Sequence, residues 1–134
     1  MFSEMVCLDT DILIGLIRER KDAVAFLASL DKNERVTATL VSACELLEGA
    51  YLSNDVPKEL DRVKKVSAVL KLLLPTASTA EKFGAISAEL RKKGEPIGNF
   101  DVLIACIAME NNEALVTRNS RHFDRIKGLT VLTW

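Results

Sequence analysis

The sequence predicts an α/β protein with a short parallel central sheet covered by helices on both faces. Short apolar runs rich in β-branched residues alternate with amphipathic stretches at helical spacing, and this alternation returns near the end of the chain. Right-handed crossovers then place helices on both faces of a parallel sheet. No internal repeat or low-complexity tract competes with that reading.

Residues 5–8 are the first apolar run, ending at Asp9, and residues 10–18 follow as an amphipathic helix. Val24, Phe26, Leu27 and Leu30 set a second helix over residues 21–30, and residues 35–38 form a brief strand. A helix over residues 40–52 comes next. Asn54 and Asp55 offer caps for another, over residues 56–73, which Pro75 closes. Ser78 and Glu81 form a capping-box pattern that opens a helix ending near Gly94, where Arg91, Lys92 and Lys93 suit the negative end of its dipole. A helix over residues 100–111, a strand over 114–117, a turn through Asn119 and a last strand over 130–133 complete the order.

A chain of 134 residues suits one domain, residues 1–134. With 49% hydrophobic and 28% charged residues the composition excludes disordered and fibrous classes. Lys and Arg total 18 against 19 Asp and Glu, a net charge of −1, so no global basic field holds a polyanion; local charge or metal must do so. The longest charge-free apolar run, Val102 to Met109, is far short of the roughly 20 residues a membrane span needs. The opening residues show no basic region followed by a hydrophobic stretch and cleavage site, which reads as cytoplasmic. Cys7, Cys44 and Cys106 include no CxxC pair and are expected as small core residues in a reducing compartment.

Three acids stand where the apolar pattern does not need them: Asp9 behind the first strand, Glu45 about one turn into the helix after the second, and Asp101 at the head of VLIACIAM. Ligands of open parallel sheets bind at the carboxyl ends of the strands, where each acid fits. Singly, Asp9 also suits a helix cap, Asp101 a helix N-terminus and Glu45 a solvated helix face. Together they need a cation, because two carboxylates about 5 Å apart at an effective dielectric near 20 repel by roughly 3 kcal/mol. Hard oxygen donors, with one histidine in the chain, favour Mg²⁺ or Mn²⁺ over zinc. Such ions serve phosphodiester hydrolysis by water.

LDTDILI at residues 8–14, SACELLEGA at 42–50, DVLIACIAMENN at 101–112 and VTRNSRHFDRIKGL at 116–129 together resemble, in order and spacing, a PIN-domain ribonuclease of the VapC toxin type along nearly the whole chain. The resemblance implies a three-layer α/β/α fold and an endoribonuclease whose metal ligands are Asp9, Glu45 and Asp101. Asn119 fills a fourth position, where the family has aspartate or asparagine, and Asp124 is an alternative acid five residues on. The implied partners are an RNA substrate, a second copy of the chain and an antitoxin that docks around residues 40–73 and inserts an arginine among the acids.

Thr10 and Thr117 carry hydroxyls that can hold a ligand, water or phosphate, or serve a turn or cap. Asp11 is a group supporting the site or a first-turn helix acid. Arg118, Arg121, Arg125 and Lys127 lie beside Asn119, where they hold RNA phosphates or form a solvated basic loop. His122 reads as structural. One Trp, one Tyr and five Phe supply no stacking platform for bases, so selectivity is expected from substrate shape. Two rival readings remain. Asp9 and Asp11 form the acid pair that opens haloacid-dehalogenase-type phosphatases, although no later acidic cluster of that type follows. The neutral Asn119 suits a catalytically weak PIN-like module that only binds RNA or protein.

Overall fold

The computed structural model describes residues 5–31 and 34–134; residues 1–4, part of the stretch read for a leader, and residues 32–33 lie outside it. Five strands form one sheet: β1 (Met5–Leu8), β2 (Arg35–Thr39), β3 (Lys71–Leu73), β4 (Ala114–Val116) and β5 (Val131–Leu132). Their spatial order is β3-β2-β1-β4-β5 and every neighbouring pair is parallel. Between them run α1 (Thr10–Ile17), α2 (Lys21–Ser29), α3 (Leu40–Tyr51), α4 (Val56–Ser67), α5 (Ala77–Lys92), α6 (Asn99–Glu110) and the short α7 (Ser120–Phe123).

The period-two alternation of a strand divides the core. Val6 and Leu8 point to one face of the sheet, where Ile12, Leu13, Ala23, Leu46, Ala50 and Val63 from α1 to α4 cover them. Cys7 points to the other, beneath Leu90 of α5, Phe123 of α7 and the buried stripe Val102, Ile104, Ala105, Cys106 and Ile107 of α6. This is the expected three-layer α/β/α arrangement. The chain leaves β1 toward β2 and β3, then returns to place β4 on the other side of β1, so the strand order reverses between β1 and β4. Ligand crevices of open α/β sheets open at such a reversal, at the carboxyl end.

Three expectations need correction. The helix expected over 56–73 stops at Ser67, and Lys71–Leu73 forms the edge strand β3, in register with Thr37, Ala38 and Thr39 of β2. The capping box sits two residues earlier than Ser78: Thr76 is the N-cap of α5, and Thr79 Oγ1 accepts the Thr76 N–H at 2.8 Å. Cys7 and Cys106 are buried as expected, but Cys44 is exposed on the outer face of α3. Among the described residues no helix is long and apolar enough to cross a membrane.

Candidate active site

Asp9 is the first residue beyond β1 and the N-cap of α1, only 5% exposed. Its Oδ1 accepts the Thr10 N–H at 2.8 Å, and its Oδ2 accepts the hydroxyl of Thr117, the residue beyond β4, at 2.7 Å. The Asp9 N–H donates to the Val116 carbonyl, which locks these two strand ends together. Burial pushes the Asp9 carboxyl up to about 7; repulsion from Asp11 and Asp101 adds to this, while the bonds from Thr117 and Thr10 pull the other way.

Thr10 bridges to the second acid. Its Oγ1 donates to Glu45 Oε1 at 2.7 Å and lies 2.9 Å from Ser42 Oγ; with its single proton committed to the carboxylate, Thr10 accepts from Ser42. Ser42 is buried in the first turn of α3, whose N-cap Thr39 ends β2 and accepts the Ser42 N–H. The β2–α3 corner thereby fixes Glu45 one turn into α3, beside α1. Asp101 enters from the first turn of α6, half-buried. Its carboxyl is raised by burial first and then by repulsion from Glu45, with His122 lowering it and Asp11 raising it. Asp9, Glu45 and Asp101 thus come from three separate segments to one sheet edge and lie in overlapping electrostatic fields. Among the described residues, no three acidic, histidine or cysteine side chains close into a ready-made metal cage.

The remaining candidates divide between the site and its frame. Asn119 is the N-cap of α7; its N–H donates to Thr117 Oγ1 at 3.0 Å and its Nδ2 lies 2.9 Å from His122 Nδ1. Asp11 belongs to the frame: Oδ1 accepts the Trp134 indole N–H at 3.0 Å and Oδ2 the Arg118 N–H at 2.9 Å. Arg118, expected to face phosphates, is committed elsewhere. It pairs with Asp22, donates through Nε to the Trp134 carbonyl at 3.1 Å and stacks 3.6 Å from the Trp134 ring centroid. Arg121 is exposed on α7, and Asp124 is an exposed residue at that helix's far end. Arg125 lies against Glu95 and the Pro96 carbonyl. Ser42, Asp22 and Trp134 were not singled out from sequence. Ser42 stands three residues before Glu45, one helical turn away and so on the same face, which is the one signal by which the sequence could have revealed it.

A three-layer α/β/α protein with a carboxylate cluster at its strand-order reversal is the class that fold and site define. A profile of the PIN domain matches residues 6–129. Ribonuclease VapC1 of Haemophilus influenzae strain R2866 is 32% identical over 128 residues, 95% of this chain and 96% of that protein. The tRNA(fMet)-specific endonuclease VapC of Shigella flexneri is 32% identical over 127 residues, with the same coverage. The crystal structure of VapBC2 from Rickettsia felis, bound to a promoter DNA fragment, superposes with a TM-score of 0.90 at 28% identity over 97% of this chain and 98% of that one. The chain belongs to the PIN domain family, among proteins of the VapC type. That membership sets aside the dehalogenase-type phosphatase, whose acid pair would also need an Asp11 not already bound through both oxygens.

Proposed function

We propose that the protein is a Mg²⁺- or Mn²⁺-dependent endoribonuclease that hydrolyses RNA phosphodiester bonds, acting in the cytoplasm as the toxin of a toxin–antitoxin pair and as a homodimer. What supports the reading most is that Asp9, Glu45 and Asp101 stand at the carboxyl edge of the sheet, close enough that the charge of Asp101 raises Asp9 and the charge of Glu45 raises Asp101. Hard carboxylate oxygens suit Mg²⁺ or Mn²⁺. Bound there, the ion supplies activation of water and neutralisation of charge on the leaving oxygen.

The chain's own residues prepare that chemistry. Thr117 and the Thr10 N–H hold Asp9 in one rotamer and favour its ionised form, and the Thr10 hydroxyl orients the Glu45 carboxylate through Oε1. Asn119, oriented by Thr117 and His122, supplies a polar carboxamide without adding to the repulsion. Arg121, exposed on α7, is the basic residue of this loop best placed to meet RNA phosphates.

A groove of about 260 Å³ runs between α1, α3 and α4, lined by Ile14, Ile17 and Leu46 with Arg18, Glu59 and Arg62 along it, and with Glu45 in its wall. Apolar floor and charged rim suit an amphipathic antitoxin segment that also reaches the acids. Direct assay tests the reading: RNA cleavage by the wild type is lost to a chelator and restored by Mn²⁺, and folded Asp101→Asn binds RNA without cutting it. Undiminished cleavage by folded Asp101→Asn removes Asp101 from the site. A wild type with neither Mn²⁺ uptake nor strand scission is a binding module instead.

A further inference from the structure

We propose that Trp134 is a positioning residue for the acid site: its indole N–H engages Asp11, so that the single proton of Thr117 is left to orient Asp9. The inference rests on the proposed use of Asp9 as a metal ligand, but the relay it describes is present without metal.

The indole is seated from three directions. Gly15 of α1 leaves room for the ring; a Cβ there would lie 3.2 Å from the Trp134 Cη2 and 2.9 Å from the Ala23 Cβ. The Arg118 guanidinium covers one ring face and donates to the Trp134 carbonyl, and Asp22 holds that guanidinium in turn. The one polar atom of the ring, Nε1, then meets Asp11 Oδ1 at 3.0 Å.

Proton inventory shows what this contact does. Thr117 Oγ1 has one proton and two carboxylate oxygens in reach, Asp9 Oδ2 at 2.7 Å and Asp11 Oδ2 at 3.1 Å. Asp11 already receives the Arg118 N–H and the indole N–H. It has little need of the Thr117 proton, which goes to the nearer and more buried Asp9. Without the indole N–H, Asp11 becomes an under-satisfied carboxylate competing for that proton, and Asp9 loses a bond that sets its orientation. Outer partners of this kind control metal affinity without touching the ion.

Trp134 is the only tryptophan in the chain, so its indole N–H gives one unmistakable NMR resonance. In the metal-free full chain, Asp9→Asn weakens the competing acceptor, moves the Thr117 proton toward Asp11, and is expected to shift that resonance. Glu113→Gln, at the opposite end of β4, is expected to leave it in place. Trp134→Phe keeps a ring against Gly15 and Arg118 but deletes the donor; it is expected to melt near wild type yet bind Mn²⁺ about tenfold more weakly by calorimetry, as lost outer-shell partners do. An indole resonance indifferent to Asp9→Asn overturns the relay. A folded Trp134→Phe protein with wild-type Mn²⁺ affinity overturns the positioning role. If the wild type takes up no Mn²⁺, the positioning role falls with the metal reading, and the Asp9→Asn shift still decides the relay.

Discussion

Replacing Thr117 by Val deletes one hydroxyl at a fully buried position and leaves the shape nearly unchanged. In the wild type that hydroxyl donates to Asp9 Oδ2 at 2.7 Å and accepts the Asn119 N–H at 3.0 Å. A bond to an ionised carboxylate contributes about 1.5–3 kcal/mol, one to a neutral carboxyl about 0.5–1.5. The lost Asn119 bond costs the same at every pH, so the pH-dependent part belongs to Asp9. Because the folded protein holds Asp9 at about 7, above its ordinary value, its contribution to stability is complete below the ordinary carboxylate range and is lost as pH rises through about 7. Removing the donor deepens that loss.

Thr117→Val is therefore expected to cost the metal-free protein about 1–2 kcal/mol more at about pH 8.5 than at about pH 5, roughly 3–6 °C in melting temperature for a chain of this size. Metal binding shows the opposite trend. Near pH 7 the ion must expel a proton that the variant holds more tightly, so Mn²⁺ binds about tenfold more weakly, at about 1.4 kcal/mol per decade. The proton-competition part of that deficit closes by about pH 9, where Asp9 is ionised in both proteins, and the part due to the lost orientation of Asp9 remains. Thermal melts and Mn²⁺ titrations across this range supply both curves. Equal melting deficits at both pH values would refute the assignment of the Thr117 proton to Asp9.

Glu113, buried at the amino end of β4, faces a similar shortage of protons: Thr37 Oγ1 has one, with Glu113 Oε1 and the Val6 carbonyl both in reach. A protonated Glu113 donates to Thr37 and frees Thr37 for Val6, in keeping with a carboxyl raised by burial. The folded value lies above the unfolded one, so this stability is present at low pH and lost as pH rises. Glu113→Gln, which always has a proton to donate, is expected to lose less stability than wild type between acid and alkaline melts; a gap that does not change with pH contradicts this. Gly15→Ala forces a Cβ against Ala23 and the Trp134 ring and is expected to cost about 1–3 kcal/mol in urea unfolding, as overpacking does. It should also shift Trp134 fluorescence, and wild-type stability with an unchanged spectrum would show that the ring is not held there.

The legible parts of this fold are those that local pattern decides. Met5–Leu8 is a strand in sequence because an apolar run ends abruptly at a polar residue, and the same step marks Asp9 as a candidate site residue. β3 was not legible. AVLKLLL after Ser67 continues a helical pattern as well as it starts a strand, and only pairing with Thr37–Thr39 selects the strand. At the start of α5 two capping patterns overlap, Thr76 with Thr79 and Ser78 with Glu81. The first is used because Thr79, 1% exposed, also donates to Glu110 of α6, a tertiary contact no local rule contains. Trp134 was invisible for the same reason: its partners lie 123 and 16 residues away, at Asp11 and Arg118.

The charge balance of the site gives the physical ground for a cation. Asp9 and Glu45 are met by hydroxyls and a backbone N–H, which orient a carboxylate but do not neutralise it. The nearby guanidiniums are drawn away, Arg118 and Arg20 to Asp22. Among the described residues the ion pairs involve Asp22, Glu59, Asp61, Glu89 and Glu95, never Asp9, Glu45 or Asp101. A buried carboxylate without a counter-charge costs free energy that a well-placed positive charge offsets in part. Here the frame keeps the arginines outside and leaves the acids mutually repelling. Such a site is stabilised by whatever positive charge enters it, and its melting temperature should rise with Mg²⁺ or Mn²⁺ in the wild type but much less in Asp101→Asn.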